Sequence, residues 1–237
     1  MVTLAILQAR TGSTRLPGKV LAPILGRPLI LRLIDRIRDA EGLDHIVVAT
    51  TVHESDSELV ETLEREGVLV RRGPVEDVLS RFLGVLDEFQ PETFVRLTGD
   101  NPLLDATTID QAVQAHRAVR ADYTTNGLSH RFPHGLNVEV VQTAALRRLA
   151  DRPLTARERE HVTIGIVERP EEFALSAVTQ DDDNSELRWT VDLPEDLTWA
   201  REVFAQLHPG DPRFGQVAVV DLLRRRPDLR RTVRDAP

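Results

Sequence analysis

The chain has 237 residues, of which 41% are hydrophobic, so it is long enough to bury the core of one large domain. A formal net charge of -8 argues against nucleic-acid binding by bulk charge, and the absence of cysteine excludes disulfides and cysteine-ligated zinc. No apolar run reaches the roughly 18 residues that a membrane-spanning helix needs. Residues 1–8 are apolar but lack a basic leader, so they predict a buried strand instead of a signal peptide. We therefore expect a cytoplasmic protein that binds neither nucleic acid nor membranes.

Strands and helices alternate along the first half of the chain. Short apolar runs, which are typical of buried parallel strands, predict strands at 2–8, 45–51, 68–71 and 93–97. Apolar residues at helical spacing predict helices at 28–40, 54–66, 75–89 and 107–119. This order favours an α/β fold with a mostly parallel sheet and helices on both faces. Ligands of such sheets bind beyond the carboxyl ends of the strands, which is where the loops 9–19 and 99–105 lie.

The second half is less regular and shows neither a repeat nor a long linker. Strands are predicted at 122–126, 136–141, 173–178 and 187–191, and helices at 143–150, 155–168, 194–207 and 217–226. We interpret the arginine-rich tail, 224–234, as a solvent-exposed end. The whole chain, 1–237, is therefore predicted to form one domain.

The loop that follows the first strand carries the strongest chemical signal. Residues 8–19 read QARTGSTRLPGK and combine two glycines with hydroxyl side chains and three cations. Glycine lets the backbone approach a ligand, while arginine and lysine form charge-assisted hydrogen bonds with phosphate. Lys19 is the only lysine of the chain, but Gly-Lys-Val does not match a Walker A loop. Composition alone leaves a phosphate-binding loop and an ordinary solvated turn both open.

Five segments, in order, resemble one family of enzymes. They are QARTGSTRLPGKVL at 8–21, RLTGDNPLLD at 96–105, FPHGLNVEV at 132–140, REREHVT at 157–163 and RWTVDLPEDL at 188–197. They resemble the spore-coat polysaccharide cytidylyltransferase-like proteins and, more distantly, the CMP-KDO synthetases, over most of the chain from Leu4 to about Leu207. The resemblance implies a Rossmann-like, three-layer nucleotidyltransferase fold of the nucleotide-diphospho-sugar transferase type.

The same resemblance implies a reaction. It is the Mg²⁺-dependent transfer of CMP from CTP to an acidic sugar or similar small acceptor, with release of pyrophosphate, in surface-polysaccharide or natural-product biosynthesis by a homodimer. A small phosphonate is the alternative acceptor. A glycosyltransferase on the same fold is disfavoured, because Gly99-Asp100-Asn101-Pro102 lacks the usual Asp-x-Asp motif. A non-catalytic nucleotide-binding module is the remaining alternative.

The family's nucleotide-binding roles fall on the half of the chain that spans residues 1–120. By resemblance Lys19, Arg10 and Arg15 neutralise the phosphates and hold the leaving pyrophosphate, and with Asp100 they are the predicted catalytic residues. The predicted nucleotide-binding residues are Ala9, Arg10, Thr11, Gly12, Ser13, Arg15, Lys19, Thr98 and Gly99.

Two aspartates match the family's metal ligands. Asp100 and Asp192 are therefore predicted to bind Mg²⁺, which favours one or two carboxylates together with waters and substrate phosphates. Each has a structural alternative. Asp100 stands in Asp-Asn-Pro, which suits an Asx-turn, and Asp192 stands where it would cap the helix predicted to follow it.

The acceptor is expected at the segment 121–190, which is also the candidate dimerisation part, while 191–237 forms the C-terminal helices. The residues matching the sugar-facing region of the family are Asn126, His134, Asn137, Glu139, Arg157, Glu160 and His161. A surface carboxylate at Glu139 and a structural pair between Arg157 and Glu160 are the alternatives.

Overall fold

The computed structural model describes residues 2–233. Met1, the first residue of the predicted segment 1–8, and Arg234, the last residue of the predicted tail 224–234, lie outside the described residues. Nine strands are found among these residues: β1 (Thr3–Gln8), β2 (Pro23–Ile24), β3 (Arg27–Pro28), β4 (His45–Thr51), β5 (Leu69–Gly73), β6 (Thr93–Thr98), β7 (Tyr123–Thr125), β8 (Glu139–Gln142) and β9 (Leu175–Ala177). Strands β2 and β3 form a small antiparallel hairpin, and the other seven form one sheet.

The main sheet has the strand order β5-β4-β1-β6-β8-β7-β9. Neighbours β5, β4, β1 and β6 are parallel, β8 is antiparallel to both β6 and β7, and β9 is parallel to β7. The chain leaves β1 toward β4 and β5 and then returns to place β6 on the other side of β1. Ligands bind at such a reversal, beyond the carboxyl ends of the strands. The fold therefore directs a ligand to the ends of β1 and β6.

Helices cover both faces of the sheet. They are α1 (Leu29–Ile37), α2 (Ser57–Arg65), α3 (Val78–Phe89), α4 (Ala106–Val119), α5 (Thr143–Ala150), α6 (Ala156–His161), α7 (Ile164–Val167), α8 (Pro194–Leu207) and α9 (Gln216–Arg225). One core packs α1, α2, α4, α8 and α9 against Ala5 and Leu7, and the other packs α3, α5 and α7 against Leu4 and Ile6. Alternate residues of β1 point to opposite faces of the sheet, and successive residues from Thr3 to Leu7 are buried. Both faces of β1 are therefore covered by helices. These three layers confirm the predicted fold class.

The predicted helix at 155–168 is wrong in one respect, because it is two helices. α6 and α7 are separated at Val162, whose φ of 55° and ψ of -62° close a γ-turn in which Thr163 N donates to His161 O. Such a conformation is strained for a β-branched residue. Val162 is fully buried, so packing of its side chain in the core holds the turn in place.

The predicted strand at 187–191 is also wrong. In the structure this segment makes only isolated bridges, between His134 and Arg188 and between Leu187 and Thr232. Its backbone is paired with loops: Trp189 N donates to His134 O (2.6 Å), and Val191 N donates to Asp100 O (2.9 Å). The segment is therefore held extended by hydrogen bonds to two loops. As a result Asp192, the residue that follows it, lies near the end of β6.

Candidate active site

A polar cavity of about 430 Å³ lies at the carboxyl ends of β1 and β6. Gly99 N donates to Gln8 O (2.8 Å), so the two strand ends remain joined where the chain leaves them. A side chain at Gly99 would bring its Cβ to 2.9 Å from Ala9 Cβ, so only glycine allows the loop after β1 to cross here. Eleven predicted site residues line this cavity: Ala9, Arg10, Ser13, Arg15, Lys19, Thr98, Gly99, Asp100, Glu160, His161 and Asp192.

The loop 9–19 is fixed at its base by a buried carboxylate. Asp56 accepts hydrogen bonds from Thr11 N and Thr11 Oγ1, both at 2.7 Å, and from the Thr51 hydroxyl. Burial alone would raise the pKa of Asp56, but these hydrogen bonds hold it below its ordinary value. Thr11 is thus a structural anchor that does not line the cavity, and Gly12 is exposed outside it. Gly18, with φ of 71°, turns the chain back so that Lys19 points inward.

Lys19 joins the two candidate metal ligands. Its Nζ donates to Asp100 Oδ2 and Asp192 Oδ1, both at 3.0 Å, and to Val191 O at 2.8 Å. All three ammonium donors are therefore used. Arg15 adds a second cation, with Nη2 at 2.9 Å from Asp192 Oδ1. Two carboxylates that would repel one another are thus held together by cations.

Asp100 is not engaged in an Asx-turn. Its Oδ1 accepts from the Thr98 hydroxyl at 2.8 Å, while Oδ2 faces Lys19. The turn that follows is supported instead by Asn101, whose amide donates to Thr98 Oγ1 at 2.8 Å and accepts from Thr190 at 2.6 Å. The carboxylate of Asp100 is left directed toward the cavity.

The capping role considered for Asp192 is wrong, because another aspartate performs it. Asp196 Oδ2 accepts from the backbone N–H groups of Asp192 (2.8 Å) and Leu193 (2.9 Å) at the start of α8. Arg188 makes two hydrogen bonds to the same carboxylate, at 2.7 and 3.0 Å, and Arg231 also pairs with it. Burial alone would raise the pKa of Asp196, but these partners hold it below its ordinary value. Asp192 is therefore free to turn its side chain toward Lys19.

The donor set fits a magnesium ion. Both carboxylates line the cavity, and the side chains of Asp100 and Asp192 are 28% and 15% exposed. No group of three or more acidic, histidine or cysteine side chains suited to a metal is found within residues 2–233. Mg²⁺ does not require one, since it takes one or two carboxylates and completes its shell with waters and phosphate oxygens.

Apart from Glu160, which lines the main cavity, the predicted acceptor residues separate into two groups. Asn137, Glu139 and His161 line a second pocket of about 250 Å³, which shares Arg96 and His161 with the main cavity. Its other lining includes Tyr123, Thr125 and Thr163, which offer hydroxyl groups. The side chain of Glu139 accepts from both Arg96 and Thr163, so it is not an isolated surface carboxylate.

The remaining acceptor candidates lie elsewhere. Asn126 is buried and braces its own loop, donating to Leu136 O (2.7 Å) and accepting from Val138 N (2.9 Å). His134 is exposed and lines neither pocket. Arg157 pairs with Glu168 (2.6 Å) instead of Glu160. The structure does not bring these three side chains to the cavity or the second pocket.

Sequence reasoning missed two arginines. Arg96 lies in the middle of the sheet on β6, and its charge between the apolar residues Val95 and Leu97 was a signal that pointed to it. Arg81 lies on the buried side of α3, in a position where a helical pattern leads one to expect an apolar residue. Both line the main cavity.

Comparison with known proteins agrees with this geometry. The sequence model of the family described as cytidylyltransferase matches residues 4–208. The chain belongs to the cytidylyltransferase family. The match begins in β1 and ends just after α8. It therefore includes both cavity aspartates and the loop 9–19 that follows β1.

Individual relatives support the same assignment. The spore coat polysaccharide biosynthesis protein SpsF of Bacillus subtilis (strain 168) is 34% identical over 232 residues, which cover 95% of each chain. A 3-deoxy-manno-octulosonate cytidylyltransferase of Anaeromyxobacter sp. (strain Fw109-5) is 34% identical over 113 residues, 46% of this chain and 45% of that one. A solved cytidylyltransferase structure from Leptospira borgpetersenii serovar Hardjo-bovis (strain JB197) superposes with a TM-score of 0.91 at 28% identity, covering 97% and 96% of the two chains.

Proposed function

We propose that this cytidylyltransferase transfers CMP from CTP to a hydroxyl group of a small acidic sugar and releases pyrophosphate. The observation that carries the proposal is the pair of carboxylates, Asp100 and Asp192, held on Lys19 in a cation-lined cavity at the reversal of the sheet. The relative that acts on 3-deoxy-manno-octulosonate supports an acidic sugar as the acceptor class. The reaction belongs to the assembly of a surface polysaccharide, as the name of the Bacillus subtilis relative suggests.

The reaction is a direct displacement. The acceptor oxygen forms a bond to the α-phosphorus, the bond from that phosphorus to the bridging oxygen of the β-phosphate breaks, and the hydroxyl proton leaves to solvent or a nearby base. Arg10 and Arg15 hold the departing pyrophosphate, because charge accumulates there as the bond breaks. Lys19 balances the two aspartates and lets an anionic nucleotide approach them.

Asp100 and Asp192 are the residues that would hold Mg²⁺. When bound, the ion would supply Lewis-acid stabilisation of charge on the phosphate oxygens. Thr98 orients Asp100 through the hydrogen bond between their side chains, and Arg188 orients Asp192 (3.2 Å). These partners fix the two carboxylates before a ligand arrives, so little reorganisation is required on binding.

The second pocket is the proposed acceptor site. It adjoins the main cavity at Arg96 and His161, where an acceptor hydroxyl would meet the α-phosphate. Asn137, Thr163 and Glu139 supply hydrogen-bonding groups for a sugar, and the Arg96 guanidinium, which pairs with Glu139, supplies further donors.

The direct test is pyrophosphate release with each of the four ribonucleoside triphosphates, with and without Mg²⁺, against acidic sugars and small phosphonates. We expect release with CTP, Mg²⁺ and an acidic sugar only. Lys19→Met should lower the rate by about 100-fold or more while circular dichroism still reports a folded chain. Release with a phosphonate alone would replace the acceptor class, and CTP binding without turnover on any acceptor would favour the non-catalytic module. A Lys19→Met enzyme with an unchanged rate would contradict the role of the aspartate pair.

A further inference from the structure

One buried cation of the main cavity has no hydrogen-bond or ion-pair partner within residues 2–233. Arg81 is only 5% exposed, and its Nε and Nη1 atoms are buried without a hydrogen bond to any group in residues 2–233. No carboxylate in that part of the chain lies within ion-pair distance of its guanidinium. A buried guanidinium normally satisfies its donors and its charge, since burying an unpaired charge is costly.

The surroundings of Arg81 do not remove this cost. Asp56 and Asp77 act on it only through space, because Asp56 is committed to Thr11 and Asp77 to Ser80 N and Arg159. Burial lowers the pKa of the Arg81 guanidinium below its ordinary value, and the charge of Arg10 lowers it further. The charges of Arg10 and Arg81 therefore repel one another in the free protein.

The position of Arg81 is fixed by the fold. It projects from the first turn of α3, and a Cβ at Gly73 would approach Arg81 Cγ to 2.7 Å, so the end of β5 packs closely on the stem of the side chain. Arg81 lines the same cavity as Arg10 and Lys19. The missing anion is therefore expected from the ligand that fills this cavity.

We propose that Arg81 binds a phosphate oxygen of the nucleotide, opposite Arg10. This inference rests on the proposed function for the identity of the ligand, but the unpaired charge is a property of the cavity itself. In this arrangement the chain tolerates an uncompensated cation in its free state, and the charge is neutralised when the phosphates enter. Arg81 would then be a phosphate-binding residue outside the loop 9–19.

A matched control is present in the same fold. Arg36 is also 5% exposed, but its guanidinium donates to the carbonyl oxygens of Leu103, Leu104 and Phe214 and lies 4.1 Å from the ring centroid of Phe214. It does not line the main cavity. Arg36→Met should therefore lower the melting temperature and leave nucleotide affinity unchanged. Arg81→Met should instead weaken nucleotide binding without lowering the melting temperature.

The experiment is calorimetric titration of the wild-type chain, Arg81→Met, Arg81→Lys and Arg36→Met with CTP, inorganic pyrophosphate and cytidine, together with thermal unfolding without ligand. For Arg81→Met we expect an unchanged or raised melting temperature and about 10- to 100-fold weaker binding of CTP and pyrophosphate, with cytidine unaffected. Arg81→Lys should bind CTP more tightly than Arg81→Met, because the charge remains.

The other outcomes overturn the inference, the proposed function or both. Equal weakening toward cytidine and CTP would place Arg81 on the base or the sugar, and unchanged CTP affinity would leave it without a ligand. A lowered melting temperature of Arg81→Met would make it a structural residue. If the wild-type chain binds pyrophosphate but not CTP, the proposed function fails, and the pyrophosphate titration still decides the role of Arg81. Binding of neither would overturn both.

Discussion

Asp196 offers the sharpest test of how the site is supported. Its side chain is 1% exposed, pairs with Arg188 and Arg231, and accepts two backbone N–H groups at the start of α8. Asp196→Asn keeps the shape but removes the charge that both arginines share. Breaking a buried ion pair in this way costs about 3–5 kcal/mol, a large part of the roughly 5–15 kcal/mol that stabilises a domain.

The assay is urea unfolding followed by circular dichroism, with thermal unfolding beside it. In a chain of this size each 1 kcal/mol shifts the melting temperature by about 2–4 °C, so a decrease of about 6–20 °C is expected. Asp221→Asn is the control, since Asp221 forms an exposed pair with Arg224 and its loss should have no measurable effect. A loss below about 1 kcal/mol for Asp196→Asn would refute the assignment of this carboxylate as the anchor of the segment that carries Asp192.

Two further predictions follow from described contacts. Because Asp196 and Asp56 have pKa values below their ordinary range in the folded chain, the unfolded chain binds more protons in acid. The free energy of unfolding should therefore fall as the pH drops from about 5 to about 3, and urea titrations should find a shallower fall for Asp196→Asn; equal slopes would contradict this. Gly135 has φ of 106°, and a Cβ there would lie 2.7 Å from Thr190 N, so Gly135→Ala should cost about 1–3 kcal/mol in the same assay. Gly84→Ala, in open space on α3, should be neutral or stabilising, and matching values for the two alanines would show that the contact with Thr190 is unimportant.

The sequence was sufficient for features that depend on local pattern. Apolar runs identified β1 and β4, and the helices predicted at 143–150 and 194–207 have the observed ends of α5 and α8. The convergence of Asp100 with the loop after β1 also followed, because parallel strands present their carboxyl ends on one edge of the sheet.

Features that depend on distant contacts were not predictable. The break between α6 and α7 falls on valine, the kind of residue least expected at positive φ, and only burial in the core explains it. Asp192 precedes α8 and Asp196 lies in its first turn. Their spacing in the sequence does not show which of the two carboxylates caps the helix. Arg188 and Arg231 make the choice by holding Asp196.

The arginine on α3 was missed for a related reason. Periodicity assigns charged residues to solvent, whereas Arg81 follows Val78 by three positions and shares its buried face. The sequence pattern of the helix does not indicate that this buried face also lines the main cavity.

The presence of only one lysine in the sequence, Lys19, has a practical consequence. Since the chain contains no other lysine, expression with isotopically labelled lysine would label a single residue, whose Nζ lies between the two aspartates and keeps all of its donors. The chemical shift of that one resonance would report directly on the arrival of a divalent cation or a nucleotide. The protein thus provides its own reporter of site occupancy, and no engineered label is required.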